Sequence, residues 1–72
     1  MYTIWGRPNC TFCDQAKVLL NRHMLDYKYI ELTDDNADEF KLRFPATKQV
    51  PQIMRDSYWI GGLEDLKRYI DR

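Results

Sequence analysis

Apolar positions recur along this chain in two rhythms, and the switches between them mark its elements. "YTIW" (2–5) is β-branched and aromatic and is closed off by Gly6 and Pro8, which predicts a short strand. The period then lengthens. Cys13, Ala16, Leu20 and Met24, with Leu19 beside them, fall on one helical face, predicting an amphipathic helix over 11–24 that Asn9 or Thr11 would cap. "YKYIEL" (27–32) predicts a second strand. "TDDNADEFKLRF" (33–44) returns to the helical period: Thr33 or Asp34 would cap it, Ala37, Phe40 and Phe44 would be buried, and Pro45 would stop it. Its early acids suit the positive end of a helix dipole. "PQIM" (51–54) and "SYWI" (57–60) flank Arg55–Asp56 at hairpin length. Gly61 and Gly62 break the second of these strands, and Leu63, Leu66 and Ile70 then make the inner face of a final helix.

The predicted order is β-α-β-α-β-β-α. A β-α-β start demands a parallel pair with a right-handed crossover, and the hairpin adds two antiparallel strands. The expectation is an α/β domain spanning 1–72, with a four-stranded mixed sheet flanked by three helices. Seventy-two residues leave no room for a second core, and a composition of 44% hydrophobic and 14% aromatic residues suits a compact globule. Eleven acidic and eleven basic side chains cancel, so no strong field points towards nucleic acid or an acidic membrane. No apolar run is long enough to span a bilayer, and Met1 leads almost directly into a strand without a signal-peptide pattern. A soluble cytoplasmic protein is expected.

Charge and size leave the chemistry to "RPNCTFC" (7–13), which holds both cysteines of the chain, Cys10 and Cys13. Two neighbouring thiols serve as half a metal site, a structural staple or a redox centre. Staples are rare in a reducing compartment. A zinc site needs four ligands, and the chain has two cysteines and the single His23, about three turns further along the same predicted helix. Only a metal shared between two chains would escape that shortage, and His23 reads as a last-turn residue favoured by the negative end of the dipole. The redox reading has a direct mechanism. Cys10 would sit in a strand-to-helix loop where free backbone N–H groups converge and stabilise a thiolate, with the Arg7 guanidinium as a second source of stabilisation. Cys13, in the first helical turn, would be more buried and keep its proton longer. Cys10 would then attack and Cys13 resolve. A CxxC pair beside a β-α-β pattern is the signature of a thioredoxin-like redox motif, though zinc ribbons use the same spacing.

Three separated segments together resemble the glutaredoxin family over nearly the whole chain. "GRPNCTFC" (6–13) resembles its active-site loop, with a basic residue three before the first cysteine. "QVPQI" (49–53) is similar to its threonine–valine–proline segment, and "IGGLED" (60–65) to its paired glycines followed by an acid. The resemblance implies a thioredoxin fold and a small dithiol glutaredoxin of microbial or phage type, exchanging thiols and disulfides with glutathione as co-substrate. It implies a cis peptide bond before Pro51, facing the active cysteine. The Val50 backbone would pair with glutathione as with a short strand. Arg7 and Lys48 would hold the glycyl carboxylate, and Phe12 would flank the sulfur. At the start of the last helix, backbone N–H groups around Gly62, Leu63 and Glu64 would take the γ-glutamyl carboxylate, and Asp65 the amine. Partners implied are glutathione and disulfide-containing client proteins, ribonucleotide reductase being a common one in the family, acted on by a monomer without bound metal.

Four positions depart from the family pattern. Thr11–Phe12 stands where many dithiol members have Pro–Tyr, which frees an N–H for the Cys10 thiolate and loses the tyrosine hydroxyl. Family members lacking that proline include some that bridge an iron–sulfur cluster between two chains, so a cluster-carrying protein is one alternative. A redoxin recharged by thioredoxin reductase is the other. Gln49 replaces the usual threonine, and Glu64 a usual serine or threonine, adding a negative charge where a carboxylate should dock.

Overall fold

The computed structural model describes residues 1–71. Seven elements follow in the expected order: β1 (Tyr2–Gly6), α1 (Thr11–Arg22), β2 (Tyr27–Glu31), α2 (Ala37–Arg43), β3 (Gln52–Arg55), β4 (Tyr58–Gly61) and α3 (Leu63–Ile70). The strands form one mixed sheet in the order β2-β1-β3-β4. β1 runs parallel to β2, with Tyr2 opposite Tyr27, and antiparallel to β3, with Ile4 opposite Ile53. β3 and β4 are the antiparallel hairpin, interrupted by a register shift between Ile53 and Met54.

Successive side chains on a strand point to opposite faces, and β1 uses both. Ile4 is fully buried with Ala16, Leu20, Ile53, Leu63 and Leu66, on the face covered by α1 and α3. Trp5 is buried on the other face with Phe40 of α2 and Phe44 just beyond it. There the rings tilt against one another: Phe40 lies 4.9 Å from Phe44, and Trp5 lies 5.8 Å and 6.2 Å from the two. Burying each of these large side chains contributes about 1.5–3 kcal/mol. Two cores on one strand explain why the "YTIW" pattern does not alternate.

The ends of the elements depart from the sequence expectation, each for a local reason. α1 stops at Arg22 rather than at residue 24. Met24, expected on the buried stripe, is 93% exposed and takes a left-handed conformation with φ 57°. The N–H of Met24 binds the Asn21 carbonyl (3.0 Å) and that of Leu25 the Leu20 carbonyl (2.9 Å), the paired bonds of a Schellman cap. Leu25 packs against the Ile4 core in place of Met24. The α1 N-cap is neither Asn9 nor Thr11 but Cys10, whose sulfur accepts the Cys13 N–H.

The segment 33–36 is a turn, and α2 begins only at Ala37. Neither Thr33 nor Asp34 caps it; the Asn36 side chain accepts the Thr33 N–H and donates to the Glu31 carbonyl, both at 2.9 Å. Those bonds compete with helix formation and hold the turn out of α2. β3 and β4 are each displaced by one residue, so the hairpin loop is Asp56–Ser57, with Asp56 at φ 52°. Among the described residues, no helix is long and apolar enough to cross a membrane.

Met24 generates a stability prediction. A non-glycine residue in the left-handed region costs roughly 1–2 kcal/mol, and the Met24 side chain buries almost nothing in return. Met24→Gly should therefore stabilise the protein by about 1 kcal/mol, read as a higher denaturant midpoint at unchanged slope. A lower midpoint would show that the side chain contributes more than its exposure suggests.

Candidate active site

The loop from β1 to α1 places the cysteines. Asn9 turns the chain with φ 56°, and Cys10 follows in extended conformation (φ −112°, ψ 109°) as the helix N-cap. Its Sγ is bonded to Cys13 Sγ, with the two Cα atoms 5.2 Å apart, and accepts the Cys13 backbone N–H at 3.2 Å. Cys10 is half-buried and Cys13 fully buried, so one sulfur of the pair stands closer to solvent. Beneath them Gly6 is fixed by space. A methyl group there would stand 2.9 Å from Cys13 Sγ and overlap the Tyr29 hydroxyl. That hydroxyl donates to the Arg7 carbonyl at 3.0 Å, pinning the loop to β2. Burial raises the Tyr29 pKa, partly opposed by the Lys17 ammonium 4.0 Å above its ring.

A cleft of about 430 Å³ opens beside this loop. Its walls come from three parts of the chain: Phe12 on α1, the 47–52 segment, and the turn from β4 into α3. The Val50–Pro51 peptide bond is cis, as the resemblance implied. The two latter walls meet closely, since a methyl at Gly62 would sit 3.7 Å from the Pro51 carbonyl. Gly61 is held at φ 124° against the Asp65 side chain, where any Cβ would collide. Asp65 accepts the Gly62 N–H at 3.1 Å through one oxygen and pairs with Arg68 at 2.6 Å through the other. The Arg68 hydrogen bond first, then the Gly62 N–H, hold its carboxyl below the usual carboxylate range. Glu64 is exposed and lies 3.4 Å from Lys67.

Of the expected site residues, the cleft gathers Phe12, Gln49, Val50, Pro51, Gly62, Leu63, Glu64 and Asp65. Arg7 and Lys48 line a different depression, of about 360 Å³, where Lys41 joins them over a floor that includes Leu32 and Phe40. Asp65, expected to hold an amine, already has both carboxylate oxygens engaged. The sequence reading missed Thr47, Gln52, Gly61 and Trp59, which also line the cleft. The signal for Gln52 was a polar residue within an otherwise apolar strand.

A CxxC pair at the start of a helix, next to a cis-proline segment on a four-stranded sheet of this order, defines a thiol–disulfide oxidoreductase of thioredoxin fold. Comparison with known proteins narrows the class. The family model Glutaredoxin matches residues 1–59. Glutaredoxin 1 of Salmonella typhimurium is 35% identical over 96% of this chain and 90% of its own length. Among solved structures, Francisella tularensis glutaredoxin 1, complexed with cacodylate, superposes with a TM-score of 0.81 at 23% identity, over 97% of this chain and 91% of that one. A buckwheat glutaredoxin–glutathione complex superposes with a TM-score of 0.79 at 21% identity, over 97% of this chain and 68% of that one. The chain belongs to the glutaredoxin family.

Asp65 supplies a pH prediction. Both partners favour its carboxylate form, so its contribution is complete above the ordinary value of about 3.9 and fades as pH falls through the lower native value. With 47% of the side chain exposed, solvent screening limits the Arg68 pair to about 0.5 kcal/mol. Asp65→Asn should melt slightly below the wild type near neutral pH, and the gap should close in acid once the pH has fallen through the lowered native value. A gap that persists in acid would assign the effect to packing instead.

Proposed function

We propose that this protein is a glutathione-dependent dithiol glutaredoxin, reducing protein disulfides and glutathione mixed disulfides through Cys10 and Cys13. The observation that carries the reading is the cleft itself. Phe12, in the first turn of the helix that half-buried Cys10 caps, the cis-proline segment and the N-terminus of α3 border one space large enough for a tripeptide.

Cys10 is the nucleophile. As the N-cap it holds its sulfur where the Cys13 N–H already points, and in the reduced protein that donor and the helix dipole favour the thiolate. The Cys10 thiolate attacks a substrate disulfide, forming a mixed disulfide and expelling the first thiolate. Cys13 then attacks Cys10 Sγ, releasing the second substrate thiol and closing the protein disulfide. One glutathione opens that disulfide as a glutathionyl mixed disulfide, and a second leaves with the first as glutathione disulfide. Two electrons pass from two glutathiones to the client, which protein-disulfide clients such as ribonucleotide reductase would accept. We place this activity in the cytoplasm, in a monomer.

Glutathione would lie along the cleft, its backbone paired with Val50 and its γ-glutamyl carboxylate at the N-terminus of α3. The complex of the buckwheat protein with glutathione supports that co-substrate. Arg7, Lys41 and Lys48, which outnumber Asp34 in the second depression, would take the glycyl carboxylate. The amine would share the Asp65 carboxylate with Arg68. Glu64 stands in the same helical turn as the γ-glutamyl carboxylate. At about 4 Å in water its charge would oppose binding by about 1 kcal/mol, but Lys67 offsets part of it.

Cys10→Ser should abolish exchange, whereas Cys13→Ser should still reduce glutathione mixed disulfides, where a second glutathione resolves the intermediate. The reverse pattern in a coupled assay would exchange the two roles. The same assay, run with glutathione or with thioredoxin reductase as electron source, should show turnover with glutathione; turnover with the reductase alone would replace the donor. The rate of Cys10 alkylation should titrate well below about 8.5, and an inflection at or above that value would remove the activated thiolate. Glu64→Thr should lower the KM for glutathione about two-fold at low salt and less at high salt. No change at either salt would place the γ-glutamyl end elsewhere.

A further inference from the structure

Gln52 is the one buried polar side chain among the described residues, with 6% of its surface exposed. A primary amide in that position must find partners at both ends. Its Nε2 donates to the Gln49 carbonyl at 3.0 Å, and its Oε1 accepts the Trp59 indole N–H at 2.9 Å. Trp59 is itself anchored, its ring 5.3 Å from Phe44, and it lines the cleft together with Gln52. The Gln49 N–H is held too, donating to Thr47 Oγ1 at 3.1 Å.

Holding the Gln49 carbonyl orients the next backbone group. In a planar trans peptide the C=O and the N–H point in opposite directions. The only cis bond among the described residues is Val50–Pro51, so the Gln49–Val50 unit is trans. With its carbonyl drawn towards buried Gln52, the Val50 N–H is turned the other way. Pro51 has no N–H to offer, so this is the donor the segment retains for an extended ligand.

We propose that Trp59 and Gln52 form a brace that aims the Val50 N–H at the substrate backbone, making them positioning residues for peptide-like disulfides. The inference rests on the reading that the Val50 backbone pairs with glutathione. Trp59 touches neither reacting sulfur in this account; it fixes the Gln52 amide, which fixes the Gln49–Val50 peptide plane. The brace favours ligands that carry a backbone carbonyl to accept that N–H and does nothing for disulfides without one.

The test uses pre-reduced full-length protein and two disulfides in single-turnover reactions across a concentration series. Glutathione disulfide carries peptide groups; cystamine carries none. Each reaction converts one protein dithiol and one disulfide into the protein disulfide and two thiols. Trp59→Phe removes the indole donor and keeps an aromatic ring. Gln52→Glu keeps an acceptor for Trp59 and sets a carboxylate against the Gln49 carbonyl. The wild type should prefer glutathione disulfide at least ten-fold in second-order rate. Each variant should lose most of that preference, through the half-saturating concentration rather than the maximal rate. In the wild type, the non-reactive S-methylglutathione should also shift the Val50 amide resonance, and less so in the variants.

If both variants keep the wild-type preference, the brace is refuted while strand-like docking stands. An equal loss on both disulfides would make the two residues merely structural and refutes it as well. A wild type with no preference and an unmoved Val50 resonance would instead remove the docking on which the brace depends. Should one variant fail to fold, the other carries the comparison alone.

Discussion

Burial of β1 on both faces is the constraint from which the rest of the architecture follows. A strand enclosed on both faces cannot leave backbone groups unpaired, so it must be flanked by a partner on each edge. β2 and β3 meet that need, one parallel and one antiparallel. The two faces then divide the apolar residues into a core under α1 and α3 and an aromatic core under α2.

The same pairing assembles the site. Trp5, near the end of β1, lies opposite Gln52, the first residue of β3. The chain leaving β1 therefore enters the cysteine loop at the end of the sheet where the cis-proline segment arrives. β4, paired to β3, delivers Gly61 and Gly62 to that end as well, and with them the start of α3. Three segments far apart in sequence converge because β3 pairs with β1 on one edge and with β4 on the other. Close packing does the rest: at Gly6, Cys13, Tyr29 and the Arg7 carbonyl come together with no space for a side chain.

The polar groups of the site serve structure and chemistry together. The Cys13 N–H that would stabilise a Cys10 thiolate also satisfies the N-terminus of α1. Asp65 caps α3 through Gly62 and holds Arg68 while facing the cleft. Charges on the rim are locally compensated in the same manner, Glu64 by Lys67, which softens the departure from the family pattern that this position represents. Arg7, Lys41 and Lys48 line the neighbouring depression together with Asp34.

The sequence by itself determined the order of the elements, the redox pair and most of the cleft. Those features are written in local periodicity, in a CxxC spacing and in short segments whose resemblance to a family survives in order. Element ends were less legible, because they turn on competition between nearby groups: Asn36 against the first turn of α2, and Leu25 against Met24 at the end of α1. Capping by a cysteine sulfur was not legible at all, since propensity favours the oxygen-bearing neighbours Asn9 and Thr11. Tertiary structure alone decided that Arg7 and Lys48 face a depression shared with Lys41, and that Gln52 reaches back to Gln49 and across to Trp59. Such bonds join residues on different strands and loops, so they exist only once the sheet register has brought those residues within about 3 Å of each other.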